Sequence, residues 1–309
     1  MIEVDVSGVL NNRGPGIFLK GIYDILPYNT GNCNYISSKT VYPSRVKQKS
    51  DFFYIPFPQF DELIYNKWIK IKKVNKLILG PNFVPNSWES FPIEGIWQER
   101  RFSEILNDVM GIAVHSKRVI NHLINRTNIN TSNLLKKFKI IRACTNINPK
   151  NINSFTKRKI DILFFEKYQD LDRSQQGAQL LNLLNNTSKK IERLKYGNYT
   201  KGAMEYLANN TKFIIYFSFF DTGAIGLKEF QNYGVFTFSH QREFIINNNT
   251  GFYVPELAKE KDMRQAFQII MQKIEEIANR HPNAQLFAKI SQEINKCQNA
   301  LNDLCENIL

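Results

Sequence analysis

The chain has no apolar run near the ~20 residues that a membrane-crossing helix needs, so none is expected. Cysteine is sparse: only Cys33, Cys144, Cys297 and Cys305 occur, and none stands in a Cys-x-x-Cys pair. A zinc knuckle or a disulfide framework is therefore not expected, no metal site or cofactor is read from the sequence, and reduced thiols suit a cytoplasmic protein. The first residues, Met1-Ile2-Glu3-Val4-Asp5, carry acids and no basic stretch, which is not the pattern of a secretory signal. Repetition at roughly 20–50 residues is missing, which removes solenoids and propellers. Zinc-finger, RNP and helix-turn-helix signatures are missing too, so nucleic acid is not an expected partner. Triplets such as Asn125-Arg126-Thr127 match a glycosylation acceptor, but a chain this rich in Asn produces them by chance.

What is present is ordinary globular material. Hydrophobic residues make up 43% and charged residues 22% of 309, with 23 Phe and 13 Tyr, which is too apolar and aromatic for disorder. The length suits two domains better than one. The formal net charge is +13. Such a balance fits a nucleic-acid binder, a visitor to anionic membrane surfaces or an enzyme with phosphorylated substrates, and it fits equally a lysine-rich surface that is merely soluble.

Short β-type runs alternate with helical stretches. Strands are predicted over 2–6, 34–41, 52–55, 76–79, 111–114 and 139–143, with helices over 16–26, 61–71, 99–109 and 116–124. Residues 145–159 are polar, with Lys157-Arg158-Lys159 and no apolar period, and read as a linker. The alternation then resumes: strands over 160–165, 190–195, 213–217, 235–238 and 251–254, and helices over 174–184, 201–208, 226–233 and 241–246. Two long helices follow, 261–280 and 283–307, the second presenting Leu286, Ile290, Ile294 and Leu301 as its apolar face. Strands alternating with helices imply parallel sheets with right-handed crossovers. The expected architecture is α/β, with two Rossmann-like doubly wound domains at 1–150 and 151–282 facing a cleft, and a terminal helix at 283–309 that crosses back onto the first. Ligands of such sheets sit beyond the carboxyl ends of the strands.

The most informative text runs from Phe213 to Val254. A buried strand ends at Ser218, and a turn Asp221-Thr222-Gly223-Ala224-Ile225 leads into a helix that carries Glu229. Backbone amides at a helix start are unpaired and carry about half a positive charge, so this turn suits an anion. Small residues there let a diphosphate approach the backbone. The bland alternative has Asp221 capping the helix and Glu229 facing solvent.

These residues resemble the donor-binding motif of GT-B glycosyltransferases, especially family 4. That family has Ser-x-x-Glu, a glycine-rich turn, and a second Glu after seven residues. Here Ser218-Phe219-Phe220-Asp221 is followed by seven residues and then Glu229, with Asp in the first acidic position. Asn232-Tyr233-Gly234-Val235 and Thr250-Gly251-Phe252-Tyr253-Val254 resemble the family's next step and strand. The resemblance covers about 40 residues. It implies that Asp221 contacts the donor sugar, that Glu229 binds the ribose, and that Thr222, Gly223, Ala224 and Ile225 face the diphosphate. Lys167 and Arg173 stand where the family places its two diphosphate cations, in swapped order. Gly14 and Gly16 look like its first-domain phosphate loop, and Tyr196-Gly197 like a turn near the base. His115 ends a family-like strand and is a further candidate, alongside the plainer reading of a packed histidine.

The implied activity is transfer of a sugar from a UDP- or GDP-type donor to an acceptor hydroxyl, with retention of configuration and without an essential metal. The acceptor would be a glycan, lipid-linked or protein-linked. The positive charge suits an anionic acceptor or a peripheral membrane face. The alternative is a catalytically degenerate GT-B protein that binds a nucleotide-sugar or glycan without turnover.

Overall fold

The computed structural model describes residues 2–5, 33–36, 52–55, 76–80, 109–127, 132–145, 147–167, 171–196, 199–218, 223–245, 249–280, 282–300 and 303. They divide into two compact units, Met1–Asn146 with Lys296–Leu309, and Ile147–Asn295. The helices predicted over 16–26 and 61–71, and over 99–109 save Val109, lie outside the described residues.

The first unit is a six-stranded parallel sheet in the order β2-β1-β3-β4-β5-β6. Its strands are β1 (Ile2–Asp5), β2 (Cys33–Ile36), β3 (Phe52–Ile55), β4 (Lys76–Leu79), β5 (Gly111–Val114) and β6 (Phe138–Ile140). Helices α1 (Lys117–Thr127) and α2 (Ser132–Leu135) join β5 to β6. Ile112, Ala113 and Val114 are wholly buried. Such two-faced burial is what parallel sheets require, and it explains why β5 reads as an unbroken apolar run. Beyond β6 the thiol of Cys144 meets that of Cys297, and burial, then the second thiol, pushes the Cys144 thiol well above its ordinary range.

The second unit holds β7 (Ile160–Glu166), α3 (Leu171–Asn185), β8 (Ile191–Lys195), α4 (Lys201–Asn210), β9 (Thr211–Phe217), α5 (Ile225–Asn232), β10 (Phe236–Ser239), β11 (Gly251–Tyr253), α6 (Glu260–Ala278) and α7 (Ala284–Ile294). Its sheet is parallel throughout, in the order β11-β10-β9-β7-β8. Alternation sorts the strand residues onto two faces. Ile162, Phe164, Phe213 and Ile215 pack under α3 and α6, whereas Leu163, Phe165, Ile214 and Tyr216 pack under α4 and α5.

Three sequence expectations are corrected here. The stretch 145–159 is not a solvated linker. Phe155 is buried edge-on against Phe213 and Phe236, with ring centroids 5.6 and 5.8 Å away. Arg158 is 3% exposed and donates to the carbonyls of Asn153, Thr211, Tyr233 and Gly234. Second, the helix expected over 283–307 breaks after Ile294, and the chain from Lys296 belongs to the first unit. Third, α7 buries its small residues most deeply, with Phe287 part-buried against Phe236. Leu286 is exposed, and the buried positions are Ala284, Ala288 and Ser291. The reason is a close approach to the turn at Gly234, where φ is +70° and an added Cβ would stand 2.2 Å from the Ala284 carbonyl oxygen. Only small residues leave room for that approach.

Candidate functional site at the switch point of the second sheet

The order of the second sheet fixes where a ligand can sit. From β7 the chain goes to β8 on one side and then to β9 on the other. The carboxyl ends of β7 and β9 therefore flank a crevice, the position where doubly wound sheets take their ligands. Glu166 lies opposite Phe217 at that edge, so Lys167 and Ser218 are the next residues out.

On the β7 side, Lys167 places its ammonium 4.4 Å from the ring centre of Tyr196, which follows β8 and is 41% exposed. A cation over a ring face is held by the ring's quadrupole. The Tyr196 amide donates to the Glu166 carbonyl at 3.0 Å, and the Glu166 carboxylate pairs with Arg193 at 2.7 Å. Arg173 stands in the first turn of α3, close after β7 in the chain.

On the β9 side, Ser218 is buried, and its hydroxyl has no partner among the described residues. Its carbonyl accepts from the Gln241 side-chain amide at 2.8 Å. Helix α5 then begins behind its N-cap Ala224, a non-glycine residue in the left-handed region at φ 47°, ψ 46°. That conformation costs roughly 1 kcal/mol or more for a residue with a Cβ. Among the described residues no side chain caps the helix. Amides in the first turn of a helix have no intrahelical partner, and they are the donors an anion site uses. Asp221, Thr222, Gly14, Gly16 and Gly197 lie outside the described residues. The bland expectation for Glu229 is overturned, because Glu229 is 7% exposed rather than solvent-facing.

Burial pushes the Glu229 carboxyl up to about 7, with Lys201 opposing the shift and Glu205 adding to it. Both neighbours sit on α4, whose first residue is Lys201 and whose start is capped by Thr200 accepting from the Ala203 amide. Glu229 thus lies near the start of α4, at the same sheet edge as Lys167 and Tyr196. Two residues here carry no family role and went unremarked in sequence. One is Gln241, which ties the ends of β9 and β10 together and whose side-chain oxygen is buried without a partner among the described residues. The other is Lys228, buried on α5 beside Glu229.

His115 belongs to the other unit. It is buried at the end of β5 and shares a 3.0 Å hydrogen bond with the Ile141 carbonyl, which joins β5 to the end of β6. Among the described residues no three His, Cys, Asp or Glu side chains converge as metal ligands would.

No protein-family model matches the chain, and no curated protein matches it by sequence. Solved structures do match. The lipopolysaccharide outer core galactosyltransferase WaaB is 11% identical with a TM-score of 0.53, over 99% of this chain and 98% of that one. S. aureus TarM, a mutant solved with Fondaparinux, alpha-GlcNAc-glycerol and UDP, is 11% identical with a TM-score of 0.53. A GtfA/B complex is 12% identical with a TM-score of 0.51. The chain covers 57% of the GtfA/B chain and 58% of TarM. This likeness shows the fold: two doubly wound α/β domains of the GT-B class.

Proposed function

We propose that the chain is a nucleotide-sugar-dependent glycosyltransferase, moving a sugar from a UDP- or GDP-type donor to a hydroxyl of a glycan, lipid-linked or protein-linked acceptor. The observation that carries this reading is the meeting, at the switch-point edge, of an uncapped helix start with a buried carboxyl one turn further in. The first suits a diphosphate and the second suits sugar hydroxyls. WaaB, with nearly the same length and the same fold, is a galactosyltransferase, which is consistent with this reading.

In the proposed mechanism the donor diphosphate lies on the turn 222–225, with Lys167 and Arg173 supplying positive charge as the leaving group departs. Glu229 holds the ribose, and Asp221 holds the transferred sugar. Tyr196 and Gly197 lie beside the base. Gly14 and Gly16 of the first domain approach the donor phosphate. Fixed dipoles and cations aimed at developing charge can stabilise the transition state without a bound metal. Retention of configuration follows from the resemblance to family 4. The terminal segment is proposed to complete the first domain, and the net charge of +13 to favour an anionic acceptor or membrane face. No described helix is long and apolar enough to cross a membrane.

The test is incubation with a panel of UDP- and GDP-sugars while released nucleoside diphosphate is measured. One donor is expected to be consumed, and Asp221→Ala or Glu229→Ala should each lower turnover about 100-fold or more without loss of thermal stability. Binding of a donor without release would favour the degenerate binding protein. Normal turnover in both variants would remove the assignment.

A further inference from the structure

A short loop after β10 holds the chain on both sides of the proposed diphosphate turn. Its first tie is Gln241, whose side-chain amide donates to the Ser218 carbonyl at 2.8 Å, just beyond the end of β9. Its second tie is Phe244, whose carbonyl accepts from the side-chain amide of Gln231 on α5 at 2.7 Å. Between them the loop is closed on itself, because the Phe244 backbone amide donates to the Gln241 carbonyl at 3.1 Å. Hydrogen bonds therefore run in series from the end of β9 to α5, and Ser218, Gln231, Gln241 and Phe244 are all buried. The loop is also fixed to the strands it joins. The His240 ring stacks on Phe217 with centroids 5.7 Å apart, and the Gln241 backbone amide donates to the Ser239 hydroxyl at 3.2 Å.

Packing alone does not account for two glutamines here. The Oε1 atoms of Gln231 and Gln241 are both buried, and neither has a hydrogen-bond partner among the described residues. A buried acceptor left unpaired costs stability, and a methionine of similar length would fill the space without that cost. What each glutamine adds is an N–H on a backbone carbonyl of this series. The chain between the ties, from Ser218 to α5, is the segment proposed above to take the diphosphate. A helix of eight residues is a rigid rod about 12 Å long, so a hold on Gln231 is also a hold on the start of α5.

We propose that Gln231 and Gln241 are positioning residues of the donor site, which clamp the two ends of the turn before a ligand arrives. The inference rests on the reading of that turn as a diphosphate site. Neither side chain is assigned to the substrate, and each acts through the turn. Preorganisation lowers the ordering cost met on binding, so its loss is read in affinity. The probes are UDP, GDP and inorganic pyrophosphate, measured by calorimetry on the full chain, with kinetics on the donor consumed in the panel above. Gln231→Met and Gln241→Met should each weaken nucleotide and pyrophosphate about tenfold and raise the donor KM equally, with kcat within about threefold of wild type. The double variant should lose little more than either single one, because the ties act in series. A role in folding alone gives the opposite split: fewer active molecules lower kcat while KM and affinity stay unchanged, and that result would overturn the clamp. If wild type binds UDP or GDP and the variants bind it equally well, the clamp is overturned and the nucleotide-sugar reading stands. Pyrophosphate weakened in the variants, with no binding of UDP or GDP to wild type, would uphold the clamp and remove the nucleotide-sugar reading. Failure of wild type to bind any of these probes would overturn both. If the variants do not fold, hydrogen exchange on wild type decides. The Gln241 and Phe244 amides should be protected without ligand, and rapid exchange there that slows only with UDP or pyrophosphate would overturn a clamp set in advance.

Discussion

Glu229, the proposed ribose-binding residue, taxes the fold that holds it. Its carboxyl is pushed from 4.5 up to about 7, chiefly by burial. Below pH 4.5 the folded and unfolded chains both hold this proton. Between 4.5 and 7 the folded chain binds more protons than the unfolded one, so stability falls as pH rises through that window. The loss, complete above pH 7, is about 3 kcal/mol. Glu229→Gln should therefore match wild type in thermal stability near pH 4 and exceed it at pH 8. Melting scans at the two pH values check this, and identical curves at pH 8 would sink the burial account. Spacing alone marked Glu229 in the sequence, because the eight-residue step from Asp221 is local in the chain. Its burial was not legible, since that depends on α4 closing over α5. Lys228 escaped notice for a related reason: a lysine on a helix reads as solvated until tertiary packing covers it.

Elements were legible where one physical pattern decides them. The strands β3 and β4 have the predicted bounds, and β7 and β9 differ from prediction by one or two residues. Burial on both faces leaves β7 and β9 each a compact apolar run between polar turns. The face of α7 was misread because size, not hydrophobicity, selects it. Helix α5 ends in a glycine-terminated turn, with Gly234 donating to the Gln231 carbonyl at 2.8 Å and Val235 to Phe230 at 3.3 Å. Against that turn α7 packs through Ala284 and Ala288. Gly234→Ala combines a disfavoured positive φ with a 2.2 Å clash against backbone. It should destabilise the second unit by about 3 kcal/mol or more, read as a lower urea midpoint by circular dichroism. A midpoint within error of wild type would show that α7 can move away freely.

At the scale of the molecule, the alternation of strand and helix fixes two doubly wound sheets, and each sheet's order then fixes the edge where its ligand belongs. That much follows from periodicity, and it persists in solved structures at 11% identity. The packing of 147–159 did not follow, because that stretch carries no period. What holds 147–159 in the second unit is a few side chains, Phe155 and Arg158 above all, with partners more than fifty residues away in the chain.

Arg158 has a consequence in time as well as in space. Its guanidinium is satisfied only when the carbonyls of Asn153, Thr211, Tyr233 and Gly234 have converged, which requires β7, β9 and the end of α5 to be in place. Until then it keeps its hydration. Such an interaction forms late on the folding path and must break early on the way out. Arg158→Met should therefore leave the refolding rate nearly unchanged and speed unfolding, by about tenfold for each 1.4 kcal/mol lost. Stopped-flow traces in urea would show the change on the unfolding limb alone. An equal slowing of refolding would instead place this latch in the nucleus.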